Sequence, residues 1–74
     1  ARSQACMAAV LPVIPLALRP HLMAGPWDEK GWTLMTRQAA ALTKLRQLMP
    51  LLSQALEEQG LAVPTIRLSA LLPR

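Results

Sequence analysis

The chain contains no phenylalanine and no tyrosine, and its two rings belong to Trp27 and Trp32. Any core must therefore be built mainly from Leu, Ala, Val, Ile and Met, which is feasible at a hydrophobic content of 53%. One cysteine, Cys6, excludes an internal disulfide and suits a reduced, cytoplasmic setting. One histidine, His21, leaves a zinc site within one chain without enough ligands. The three glycines stand apart, so there is no glycine-rich loop to cradle a phosphate. The four acids fall in two adjacent pairs, Asp28-Glu29 and Glu57-Glu58. Neighbours on a helix diverge by about 100°, so the second pair does not face one substrate. With no nucleophile beside a base and no carboxylate couple, the sequence predicts neither an enzyme nor a cofactor. Long apolar runs are also missing. The stretch after Arg2, CMAAVLPVIPLAL, is broken by Pro12 and Pro15 and falls short of the ~20 residues that span a bilayer. A positive charge before a short apolar run also fits a signal peptide or a partner-binding helix, but a core helix is the plainer expectation.

What is present points to one small domain over residues 1–74. A chain of this size buries only about 60% of its unfolded surface, so its margin of stability is thin. Its first residue is not methionine, and a slightly longer native protein is expected.

The stretch from Arg37 to Gly60 carries the strongest periodicity. Leu42, Leu45, Met49, Leu52 and Leu56 recur at helical spacing, and Leu48, Leu51 and Ala55 widen the stripe. Thr36 can cap the start and Gly60 can end it in the left-handed conformation, with Leu61 folding back on Leu56. Pro50 interrupts this pattern, so the expectation is one kinked helix over 37–59 or two nearly coaxial ones. Ahead of it, Ser3 to about Leu11 reads as a helix capped by Ser3. Leu18–Ala24 reads as a strand that either lies at an edge or starts after Pro20, residues 25–31 as a loop, and Trp32–Thr36 as a second strand, together a hairpin. Thr65–Leu71 reads as a third strand with Ile66, Leu68 and Ala70 inward, running parallel in direction to the second, with its neighbour in the sheet left open. The predicted fold is α+β, in the order α-β-β-α-β, with helices on one face of a three-stranded sheet. Leu34, Leu42, Leu45, Met49, Leu52, Leu56, Ile66 and Leu68 form its expected core.

Eight Lys and Arg against four acids give a net charge of +4, which permits a polyanionic partner. The candidate binding residues are Arg37, Lys44 and Arg46 on the long helix, Arg19 and Arg67 (with His21) on the outer sheet face, and Trp27 in the loop. Trp27 could stack a base. The plainer alternatives are solvated polar faces and a tryptophan folded over the core edge.

The order α-β-β-α-β with a basic balance resembles a reduced type II KH domain. The GXXG loop that grips a nucleic-acid backbone is absent, and Leu48-Met49-Pro50-Leu51 stands in its place. More specifically, GWTLMT (31–36), LTKLRQLMPLLSQAL (42–56) and GLAVPTIRL (60–68) resemble the DciA-like family of bacterial replicative-helicase operators. That resemblance implies a non-catalytic DNA-replication module that binds a DnaB-type helicase, assists its loading and holds single- or double-stranded DNA weakly. It also implies a bacterial cytoplasmic, nucleoid-associated setting, with no membrane and no small-molecule substrate. The alternative is an RNA- or ribosome-associated KH-like protein.

Overall fold

A computed structural model describes residues 1–71. The order is α1 (Arg2–Val10), β1 (Leu22–Asp28), β2 (Gly31–Thr36), α2 (Ala41–Gln47), α3 (Met49–Glu58) and β3 (Ile66–Ala70). The three strands form one mixed sheet in the order β1-β2-β3, with β1 antiparallel and β3 parallel to the central β2. This is the expected α+β arrangement, and it places the third strand beside the second.

The sheet's inner face and the helices share one core. Alternation along β2 buries Trp32, Leu34 and Thr36 completely while Thr33 and Met35 stay half-buried on the other face. Against them pack Cys6 and Val10 of α1, Ile14 beyond it, Leu45 of α2, and Leu52, Ala55 and Leu56 of α3. Each large side chain among these contributes about 1.5–3 kcal/mol by leaving water. The first segment is thus a core helix. Leu42, Met49, Ile66 and Leu68, expected to be buried, are half-buried: Ile66 and Leu68 lie on an edge strand, Leu42 lies in the first turn of α2, and Met49 adjoins the helix break. Among the described residues no helix is long and apolar enough to cross a membrane.

Several local expectations are corrected. Ser3 does not cap α1, whose N-cap position is Ala1. Its hydroxyl instead donates to the Gly25 carbonyl and accepts from Trp32 Nε1 at 3.0 Å, because a buried indole N–H must find a partner. The first strand starts after Pro20, at Leu22, one of the two starts that the proline allows, and runs past the expected Ala24 through Gly25-Pro26 to Asp28. Residues 18–21 form a 3-10 turn around Pro20, whose missing N–H suits a turn better than a ladder. Gly25-Pro26 enters the strand as a bulge, two residues facing one between the pairs Ala24–Leu34 and Trp27–Trp32. The hairpin turn is therefore only Glu29-Lys30, and Asp28 Oδ1 accepts from both Lys30 N (2.8 Å) and Gly31 N (2.9 Å). Gly31 is needed for close approach, since a Cβ there would sit 2.3 Å from the Thr65 carbonyl oxygen.

Thr36 is likewise not a helix cap. It ends β2, fully buried, and its Oγ1 accepts from Gln38 N at 3.1 Å in a turn that precedes α2 by several residues. The 37–59 segment is two helices divided at Leu48. Pro50 falls in the first turn of α3, where a proline N–H would have no helical partner anyway. The C-terminus of α3 follows expectation closely. Gly60 has φ +70°, its N–H bonds to Glu57 O (3.0 Å), and Leu61 N bonds to Leu56 O (2.8 Å). This is a Schellman closure, with Leu61 packed against the core that contains Leu56.

Candidate nucleic-acid and partner interface

Between Lys30 and Glu57 the chain carries no acid, and its cations there are Arg37, Lys44 and Arg46, all exposed. Three structural features position them. The Thr36 turn throws the chain off the end of β2, and Arg37 N then donates to the His21 carbonyl at 2.8 Å. That bond sets Arg37 beside the Arg19–His21 turn. The break at Leu48 makes Lys44 and Arg46 last-turn residues of α2, where a cation complements the helix dipole. On one continuous helix they would be interior residues with no such benefit.

The other candidates lie elsewhere. Arg19 is half-buried and belongs to the 3-10 turn rather than to a strand, so it does not share the sheet's outer face with Arg67; its Nε donates to the Ile14 carbonyl at 2.9 Å. Arg67 does lie on that outer face. Its Nε donates to Thr33 Oγ1 at 2.9 Å, and a second nitrogen stands 3.7 Å from Asp28 Oδ2. The two side chains are 38% and 59% exposed, so this ion pair contributes at most about 1 kcal/mol. Trp27 belongs to β1, half-buried against the core, with the Arg2 guanidinium 5.1 Å from its ring centre. One side of that ring is therefore already covered. Arg2 and Ser3 are contributors the sequence did not suggest. Their partners lie more than twenty residues away in the chain, and no local pattern signals such a pairing.

The acids are gathered at one end of the strands. Asp28 and Glu29 occupy the hairpin end. Glu57 and Glu58 close α3, whose connection returns to that same end, where Trp32 N bonds to Thr65 O. Arg19 and Arg37 lie at the opposite end, where Leu22 pairs with Thr36. The six candidates thus form no single groove: Arg37 adjoins the Arg19 turn, Lys44 and Arg46 follow on α2, and Arg67 and Trp27 stand apart.

Reactive chemistry is sparse. Among the described residues no group of His, Cys, Asp and Glu could hold a metal ion. Cys6 is fully buried, and burial pushes its thiol up while the Arg2 guanidinium pulls it partly back. At the break between α2 and α3, Pro50 is exposed and Leu51 is 46% exposed, an apolar corner next to the α2 cations. No family model matches the chain, nor does any curated protein or any solved structure.

Proposed function

We propose that this chain is a reduced type II KH-like module of the DciA-like kind. In this reading it is non-catalytic, binds a DnaB-type replicative helicase and holds DNA weakly while the helicase is loaded. The observation that carries the reading is the acid-free stretch with its exposed cations, Arg37, Lys44 and Arg46, beside a helix break at Leu48. The break falls where a KH domain bears its backbone-gripping loop. Here that corner offers Pro50 and Leu51 rather than glycine N–H groups, which suits an apolar protein contact with phosphate contacts from the cations alongside. Titration calorimetry of the full-length protein with its cognate helicase tests the reading. Binding is expected, and Leu51→Asp should weaken it at least tenfold while leaving DNA binding in place. An absence of any helicase complex refutes the reading. Co-sedimentation with ribosomes in its place would favour the RNA-associated alternative that the same element order allows.

A further inference from the structure

The two edges of the sheet are treated differently. The β1 edge is guarded by the Gly25-Pro26 bulge, by a proline that offers no N–H, and by α1, whose Ser3 hydroxyl bonds the Gly25 carbonyl. The β3 edge lacks the bulge and the proline, and the helix that packs against it, α2, sends no side-chain hydrogen bond to its backbone among the described residues. The one cation of β3, Arg67, leans back across β2 onto Thr33 and Asp28 rather than over the edge. All five of its residues are half-exposed. Trp32 N bonds to Thr65 O, and Leu71 N bonds to Thr36 O. Residues 65, 67, 69 and 71 therefore direct their backbone groups at β2, and Ile66, Leu68 and Ala70 direct theirs outward. Among the described residues nothing pairs with that outward row.

We infer that the β3 edge pairs antiparallel with β3 of a second copy of this chain, about a two-fold axis at Leu68, to give a continuous six-stranded sheet. The occupant follows from register. With Leu68 opposite Leu68, Ile66 faces Ala70 of the second copy, and every outward N–H and C=O of the three residues finds a partner. Apolar side chains meet on the inner face. On the outer face Arg67 comes opposite Ser69, so no like charges are opposed. Moving the axis to Arg67 sets two guanidinium groups against each other and runs the ladder into Pro64, which has no N–H to give. The pairing is isologous and closed, so it stops at a dimer and does not propagate. A seam this short gives a weak, concentration-dependent dimer.

Sedimentation equilibrium of the chain at roughly 0.15 M salt, where charge is screened within about 8 Å, tests this. The apparent mass should double as concentration rises toward about 1 mM. Ala70→Pro removes an outward N–H without touching the β2 ladder and should hold the mass at the monomer with unchanged circular dichroism. Ser69→Arg, opposite Arg67 twice per dimer, should raise the dissociation constant roughly two- to thirtyfold, and Ser69→Asp should lower it. A monomer throughout, an undiminished dimer in Ala70→Pro, or shifts of the same sign for the two Ser69 variants would overturn the inference. Helicase binding need not change in any of these cases, so the outcome is separable from the proposed function.

Discussion

Single residues carry the fold wherever a buried group has one way to be satisfied. Trp32 Nε1 has Ser3, and Ser3 has the Gly25 carbonyl, so one hydroxyl joins α1, β1 and β2. Nothing in the sequence near Ser3 distinguishes that role from a helix cap, which is why the cap was the natural expectation. Leucines were easier to read, because periodicity alone selects Leu45, which is fully buried. Leu45→Ala should cost about 2–5 kcal/mol, seen as a drop in the chemical-denaturation midpoint. An unchanged midpoint would contradict the core as described. Cys6 yields a pH prediction. Its raised thiol pKa keeps it protonated in the fold beyond the point where the unfolded chain ionises, near pH 8.5. Its contribution is complete below that pH and is lost as pH rises from there through the folded value. Stability measured against pH should therefore show an alkaline decline that Cys6→Ala abolishes, and native Cys6 should react with a thiol reagent only as fast as the chain unfolds.

At the scale of elements, existence and type were legible and boundaries were not. The period of 3.6 fixed the helical character of 41–58, and the alternation in 31–36 fixed β2. Pro50 leaves the sequence with one kinked helix or two helices in succession; the structure takes the second, restarting the helix at Met49, which puts the proline where it costs nothing. The first strand overruns its expected end at Ala24 because Gly25-Pro26 looks like a turn in isolation. A bulge beside a paired strand accommodates the same two residues, and that depends on a partner the local sequence does not reveal. These readings separate under mutation. A strained mid-helix proline would release ~3 kcal/mol on Pro50→Ala, whereas a first-turn proline should lose no more than about 1 kcal/mol through the looser unfolded chain. Gly60→Ala should cost about 1–2 kcal/mol, since φ +70° is strained for any Cβ although the surrounding space is open. Thermal melts of the two variants should therefore move by small amounts, both downward.

For the molecule as a whole, the net charge of +4 says less than its distribution. A third strand parallel in direction to the second already brings the connection after α3 back to the hairpin end; what the sequence leaves open is that strand's neighbour in the sheet and the turn that holds Arg19. With both known, the acids gather at one end, and Arg19, Arg37 and the α2 cations lie toward the other or along the helix. Lys30 in the hairpin turn, Arg2 over Trp27 and Arg67 beside Asp28 are the exceptions. Under the proposed function, a single strand crossing the cationic side meets about three cations at once, and the logarithm of affinity should fall with the logarithm of salt at a slope of about −2. No element here reads base edges, so sequence preference should be slight and the dissociation constant should be on the order of 10⁻⁴–10⁻⁶ M at physiological salt. Lys44→Glu and Arg46→Glu each remove one contact and add a repelling charge on an exposed helix, so together they should flatten the slope by about 1 or more while leaving the melting temperature nearly unchanged. Arg67→Glu should act differently. It sets a carboxylate against Asp28 and strips Thr33 of its donor, so its main effect should be lower stability, with a smaller change in slope. Equal slopes for wild type and the double α2 variant would move the phosphate contacts off α2, to Arg19 and Arg37 at the strand end.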